Sequence, residues 1–475
     1  MSGFKRSLGL VDAVMIVAGS MIGSGIFIVS AEMLRNLGSP AWMLTAWVVA
    51  GVLTIMAALS YGELSGMMPK AGGQYIYIQR AFGKLPAFMY GWTVFTVIQT
   101  GVIAAVAVAF AKFTAVFFPA LSVDNILFSA GPLKVSAAQV FAIASILFLT
   151  WFNSRGVREA TWLQTIFTSA KIIALLALIV LGLFAAGRTG LLEMNMNIGW
   201  EAFSTAFSAS GEPTISPLSG IAMLSALGLA MVGSLFSSDA WNNVTFIAGE
   251  IKEPQRNLPL SLFFGTLIVT VLYVLANVVY LALLPADGIM MAPMDRVGTA
   301  AAGVLFGEGA VYIMAALIMV STFGCNNGCI LGGSRLFYAM AQDGLFFRKA
   351  GILNAASVPG FALWIQCAWA CVLCLSGTYG TLLNYVTFAS LLFYIVTIAG
   401  LFRLRATEPD APRPYKAFGY PWIPALYILC ASLFCLNLLF RTPVEAGAGL
   451  GIVALGALVY WIQGRMRANN PAADQ

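Results

Sequence analysis

Stretches of about 20 apolar residues, separated by short charged segments, recur along the whole chain, and no other feature limits its fold so strongly. A run of that length crosses the roughly 30 Å hydrocarbon core of a bilayer as a helix. Lipid offers no hydrogen bonds, so a spanning backbone satisfies its own, and a helix does so within one segment. Composition agrees, with 60% of the 475 residues hydrophobic and 9% charged, against roughly 25% charged in soluble proteins. That is too little polarity to coat a water-facing surface. The chain therefore reads as an all-α integral membrane bundle.

Twelve spans are predicted, at 10–29, 42–64, 86–118, 137–152, 160–185, 220–248, 261–284, 303–338, 360–376, 381–402, 422–440 and 447–464. The first run follows Lys5 and Arg6, lacks a small-residue cleavage site and is succeeded by further spans, so it reads as a retained helix and not a signal peptide. With both termini in the cytoplasm, the inner segments hold 18 of the 25 Lys and Arg and the outer segments 6, Lys171 being the remainder. This asymmetry orients a multi-pass protein of the cell (inner) membrane. The net charge of +6 is thus a topology signal, and nucleic-acid binding is not expected.

The seven cysteines all fall inside predicted spans, so neither a disulfide framework nor a disulfide-linked heavy chain is expected. Cys371 and Cys374 form a C-x-x-C without a second pair, and the chain has no histidine. No metal, other cofactor or catalytic residue is predicted, and the chain reads as a monomer that is not an enzyme. The polar outer segment 186–219 divides five spans from the next five, and the Pro-rich segment Pro409–Pro424 precedes a final pair. Five plus five plus two suggests a repeat over 8–186, an inverted twin over 219–403, and two additional helices over 421–464.

Three places break the rules of a membrane helix. Span 1 carries Gly19, Gly23 and Gly25 around Ser20 and Ser24, where glycine lifts the steric bar to non-helical backbone. Alone, such a cluster suits a small-residue packing face. Span 6 carries Asp239 within Gly233-SLFSSDAWNN. A carboxylate at mid-span costs about 2.5–3.5 kcal/mol on insertion scales and marks a cavity or a partner. Lys171 lies in span 5, whereas Glu63, Lys112 and Glu308 lie near span ends, where long side chains reach the interface.

Depth links these places. Gly23, Asp239 and Lys171 each lie eleven residues from the inner end of their span, and Cys325 lies ten from Arg335. At about 1.5 Å per residue that is about 15–16 Å, half the hydrocarbon core. An interrupted helix exposes N–H groups where it restarts and carbonyls where it stops. The first favour a carboxylate and the second an ammonium. Two interruptions at one depth therefore suit the headgroup of an amino acid, leaving its side chain to a surrounding pocket.

Gly19-SMIGSGIF in span 1, Phe236-x-x-x-x-Trp241-Asn242 in span 6 and Ile251-KEPQRNLP-Leu260 after it carry a resemblance. So do Asp12, Gly72-Gly73-Gln74-Tyr75 and Gly324 to Phe337. Over residues 8 to 405 the chain resembles the amino acid–polyamine–organocation superfamily, most of all the bacterial L-type amino acid transporter branch. The resemblance implies a LeuT-like five-plus-five inverted repeat with spans 1 and 6 broken. It implies that Gly23, Ser24 and Gly25 hold the substrate carboxylate, that carbonyls near Met21, Ile22 and Phe236 receive the amino group, and that the Phe236 ring closes the outer gate. Lys171 matches a lysine that ties span 5 to the span 1 break and span 8, in place of sodium; Cys325 lies at that junction. Asp239 stands where close relatives often have glycine.

The expected function is alternating-access transport of L-amino acids, foremost neutral ones, by sodium-independent exchange or facilitated transport. Ser238, Trp241, Asn242 and Ser390 are further pocket candidates. Lys171 can be a fixed cation or a proton carrier, and the second implies proton symport. Asp239 can pair with Lys171, meet the substrate ammonium, or favour a cationic amino acid or polyamine. A channel would need a continuous polar stripe and a receptor a soluble domain, and neither is visible.

Overall fold

The computed structural model describes residues 6–130, 133–207, 213–376 and 379–469; Lys5 lies outside them. In chain order the helices are α1 (Leu10–Met21), α2 (Gly25–Ile28), α3 (Ser30–Leu37), α4 (Pro40–Met67), α5 (Gln74–Phe82), α6 (Lys84–Thr93), α7 (Gln99–Thr114), α8 (Ala137–Asn153), α9 (Val157–Thr189) and α10 (Leu191–Met196). There follow α11 (Gly220–Ser237), α12 (Asn243–Phe246), α13 (Pro254–Leu283), α14 (Ala286–Met290), α15 (Val297–Phe306), α16 (Glu308–Gln342), α17 (Gly360–Ser376), α18 (Tyr379–Thr407), α19 (Trp422–Arg441) and α20 (Pro443–Asn469). One π-type turn, Val94–Ile98, carries α6 into α7. Two antiparallel hairpins join them: β1 (Ile126–Ala130) with β2 (Leu133–Ser136), and β3 (Ala202–Phe207) with β4 (Pro213–Leu218).

The chain is an all-α, multi-span membrane protein. Among the described residues, ten helical stretches are long and apolar enough to cross a bilayer. The predicted spans 137–152 and 360–376 form shorter helices of 17 residues each, about 26 Å long. Several predicted boundaries shift. Residues 303–306 close α15, which ends at Gly307 with φ +78; glycine adopts that left-handed turn without a Cβ clash, and α16 starts afresh. The third span stops at Thr114 and not 118, and the seventh starts at Pro254 and not 261, because proline suits the first helical position. Between 220 and 248, helix is interrupted after Ser237 and resumes at Asn243.

Helix α13 packs against α4, α1 and α9, and α16 against α7 and α9. Small residues bring these axes close. Gly51 of α4 faces Thr270 of α13, and Gly265 of α13 faces Val17 of α1, so tightly that a Cβ at either glycine would collide. Large apolar side chains such as Phe184, Ile221 and Phe440 point outward, which lipid accepts and water opposes.

Glu63 departs from the expectation that it reaches the interface. Its side chain is fully buried, with Arg405 donating from Nε and Nη2 at 3.0 and 2.5 Å, Arg413 from Nε at 3.1 Å and the Ala417 amide at 2.7 Å. Arg335 and Glu250 form a second buried pair at 3.3 Å. Lys112 is mostly covered and lies 4.0 Å from Asp295, and the side chain of Glu308 lies outside those described. Deep charge is thus commoner than span positions suggest, because protein partners substitute for water. Replacing Glu63 by Ala strands two arginines in α18 and the segment after it. The expected loss is about 3–5 kcal/mol, read as a lower unfolding midpoint of the purified protein in detergent.

Candidate functional site

Helix α1 stops at Met21, where Ile22 leaves helical geometry with ψ 95, and α2 restarts at Gly25. The last carbonyls of a helix have no partner within it, and here side chains from three other helices supply one. Lys171 of α9 donates from Nζ to the Gly19 and Ile22 carbonyls at 2.5 and 2.6 Å. Cys325 of α16 donates from Sγ to the Ser20 carbonyl at 3.1 Å. Tyr273 of α13 reaches the Met21 carbonyl at 3.0 Å. Ser321, one turn before Cys325, approaches the Ile22 and Gly23 carbonyls at 3.3 and 3.4 Å. Lys171 is 1% exposed, and its ammonium donates to two carbonyls of the α1 end.

The second interruption lies beside the first. After Ser237 the chain turns through Ser238 and Asp239, and Ala240 takes φ +63, a region that non-glycine residues enter only under constraint. Gly25 touches the Ser237 side chain so closely that a Cβ would overlap its hydroxyl. The Tyr273 hydroxyl also lies 3.0 Å from the Ser237 carbonyl. One phenol proton therefore serves two carbonyls, one from each interruption. Gly23 faces Cys325, its Cβ position lying 3.2 Å from Sγ. The Phe236 carbonyl accepts from the Asp239 amide at 3.1 Å, and the Phe236 ring is 8% exposed.

Asp239 does not meet Lys171. Among the described residues neither joins an ion pair. Instead Tyr394 and Ser390, four residues apart on α18, donate to the carboxylate, Tyr394 to Oδ1 and Ser390 to Oδ2 at 3.1 Å. Asp239, Ser390 and Tyr394 form a partition between two cavities of about 20 Å³ each, each sized for a water molecule or two. Ser238 and Trp241 line the first, with Thr54 of α4, Thr387 of α18 and Tyr427 of α19. Asn242 lines the second, with Gln74 of α5 and Tyr90 of α6. Neither admits an amino acid until the helices part.

The walls are cross-linked. Trp241 meets Tyr61 and Tyr394 with ring centroids 4.8 and 5.3 Å apart. Asn242 donates from Nδ2 to Gln74 Oε1 at 2.9 Å, and Tyr90 donates to the same oxygen at 3.0 Å. Gln74 in turn donates to Thr397 and to the Phe393 carbonyl. The structure thus gathers Met21 to Gly25, Lys171 and Cys325 into one cluster, and Ser238, Asp239, Trp241, Asn242 and Ser390 into another. Neither cavity is lined by Met21 to Gly25, by Phe236 or by Lys171. Tyr273, Ser321, Thr387 and Tyr394 escape the sequence reading, and Gln74 enters it only within the Gly72-Gly73-Gln74-Tyr75 motif. Of the four missed, Tyr394 carried a signal, standing one helical turn from Ser390. Among the described residues no cluster of three or more His, Cys, Asp or Glu is placed to hold a metal.

Residues 8–462 match the amino acid permease family. The chain is 33% identical over 463 residues to the Large neutral amino acids transporter small subunit 2 of Mus musculus, covering 96% of this chain and 81% of that protein. It is 30% identical over 465 residues to the Asc-type amino acid transporter 1 of Mus musculus, at 96% and 81% coverage. Identity to the b(0,+)-type amino acid transporter 1 of the same species is 28% over 438 residues, at 91% and 82% coverage. These relatives are animal proteins, and they support the amino acid transporter family without singling out the bacterial branch that the motifs suggest.

The contact of Gly25 with Ser237 yields a test. Gly25→Ala is expected to cut amino acid uptake into proteoliposomes at least about tenfold. Adding Ser237→Gly, which removes the colliding side chain, should recover part of it. Equal loss in both variants would show that the close approach is not what Gly25 provides.

Proposed function

This chain belongs to the amino acid permease family and moves amino acids across a membrane as a secondary transporter, and we propose that it does so by alternating access and sodium-independent exchange. In this reading twelve spans, including the shorter α8 and α17, form an inverted repeat over 8–186 and 219–403, with two additional helices over 421–464. Spans 1 and 6 are the broken pair. The observation that carries the coupling mode is the Lys171 ammonium within the carbonyls that end α1. A fixed cation fills the place where a sodium ion would otherwise neutralise those dipoles, so no ion needs to bind or leave in each cycle.

The substrate headgroup belongs at the two interruptions, where Gly23, Ser24 and Gly25 face its carboxylate and the carbonyl ends near Met21, Ile22 and Phe236 its ammonium. The Met21 carbonyl already accepts from Tyr273 and retains a second lone pair, whereas the Ile22 carbonyl is approached by both Lys171 and Ser321. Beside the interruptions, Leu53, Leu235, Leu391 and Trp241 offer apolar walls, which suits the neutral side chains named for the first relative. Both termini are cytoplasmic in this arrangement, and the protomer works alone.

Counterflow in proteoliposomes tests the proposal. Uptake of labelled leucine should require unlabelled amino acid inside, persist when choline replaces sodium, and ignore an imposed pH gradient. Lys171→Ala should reduce it at least about tenfold, since the α1 carbonyls lose their cation. Uptake driven by an acid exterior, and lost in Lys171→Ala, would assign Lys171 to proton symport instead.

A further inference from the structure

The Pro-rich segment between α18 and α19 is built around one side chain. Arg413 has five N–H donors, and all five are engaged. Nη1 donates to the Pro409 and Ala411 carbonyls at 2.9 Å each, and Nη2 to the Leu404 and Glu408 carbonyls at 3.1 and 2.8 Å. These four bonds fold the segment back against the end of α18. The fifth, from Nε, reaches across to Glu63 of α4 at 3.1 Å.

Glu63 is equally saturated. A carboxylate accepts about four hydrogen bonds, and Glu63 receives two from Arg405, one from Arg413 and one from the Ala417 amide. The end of α18 and the segment after it thus form a socket of two guanidiniums and an amide, into which α4 inserts a carboxylate. The Tyr420 ring holds Arg405 in place, its centroid 3.7 Å from the guanidinium. Tyr415 closes the seam: its ring leaves no room for a Cβ at Gly62, and its own Cβ lies 3.9 Å from the Cβ position of Gly66.

Followed inward, this seam leads to the site. Tyr61, two residues before Glu63, sets its ring 5.9 Å from Tyr394 of α18 and 4.8 Å from Trp241. Beyond that layer Thr54 of α4 and Ser390 of α18 face the first cavity, which stays water-sized until α4 and α18 part. With both termini cytoplasmic, as proposed, α4 and α18 both end on the cytoplasmic side, at Met67 and Thr407. Parting them there draws Glu63 out of its socket. Arg405 is 23% exposed in its side chain, and Glu408 pairs with Arg80 at the surface. Water is therefore at hand to replace the bonds that release breaks, which it could not do for a pair held at the bilayer centre.

We propose that residues 408–417 are a latch, holding the Glu63 carboxylate while the transporter is closed to the cytoplasm and releasing it each time that side opens. The proposal rests on the alternating-access reading, and it makes the segment a working part of the cycle as well as the link to the last two helices.

A cross-link tests it. A Cβ at Gly66 meets nothing nearer than 3.4 Å, and its 3.9 Å separation from the Tyr415 Cβ lies within the roughly 3.5–4.5 Å of a disulfide. In proteoliposomes of Gly66→Cys/Tyr415→Cys, oxidation by copper phenanthroline should cut leucine counterflow at least about tenfold, and dithiothreitol should restore it. Each single variant should ignore both reagents, which controls for the seven native cysteines. Counterflow at the reduced rate from protein shown by peptide mass to be cross-linked would overturn the latch. If the double variant does not fold, Gly66→Cys alone decides, through labelling at position 66 by a water-soluble maleimide. Leucine on both sides of the membrane should raise that labelling at least about threefold over substrate-free liposomes, because Tyr415 lifts away, and equal labelling would overturn the latch. Absent leucine counterflow in the wild-type protein, with this leucine-dependent labelling intact, would sink the exchange reading and leave the latch standing.

Discussion

The structure depends on one constraint: carbonyls released where a helix stops in the buried interior have no water to turn to. An unsatisfied backbone group there costs several kcal/mol, yet α1 stops at Met21 and leaves a turn of carbonyls open. Each finds a side-chain donor. Gly19 and Ile22 receive Lys171, Ser20 receives Cys325, Met21 receives Tyr273, and Gly23 is approached by Ser321. The donors come from α9, α13 and α16, so the interruption is defined by three neighbouring helices and not by its own glycines. The glycines permit the backbone to leave the helix; the donors make leaving affordable.

The same constraint explains why the two interruptions sit together. Tyr273 has a single hydroxyl proton and stands between the Met21 and Ser237 carbonyls at 3.0 Å each. Gly25 lies against Ser237 with no room for a Cβ. The end of α11 is thus positioned by the restart of α2, and a shift in either helix is felt by the other. A carrier needs such coupling, because the ends of one substrate must be sensed together.

Much of this fold was legible in the chain because lipid imposes long apolar runs, and the rule-breakers Lys171, Asp239 and the span 1 glycines stood out against them. What stayed hidden was rotation. Hydropathy places a residue in depth but not on a face, so Tyr273 and Thr387 looked like ordinary members of apolar spans. Glu63 and Arg335 were set near span ends, whereas burial against partner charges holds them inside. The outer segment 186–219 read as a polar interruption, yet it folds into α10 and the β3–β4 hairpin. Asn195 of α10 anchors it, donating to the Leu281 and Leu284 carbonyls and accepting from the Ala286 amide. Those bonds run to residues about ninety positions away, beyond the reach of any local pattern.

The two charges that depth had linked, Lys171 and Asp239, were candidates for one ion pair, and the structure keeps them apart. Had they paired, each would have neutralised the other, and neither the α1 carbonyls nor the cavity beside α18 would hold a charge. Separation gives them different tasks. The lysine meets dipoles that are part of the protein and stay with it, so its charge is satisfied before any substrate arrives. The aspartate meets the Tyr394 and Ser390 hydroxyls and the Ala240 amide, neutral donors that stabilise a carboxylate without cancelling it. Asp239 is left at the edge of a small cavity that Thr387 and Trp241 also line. One buried charge braces the end of α1, and the other ties the interruption after α11 to α18.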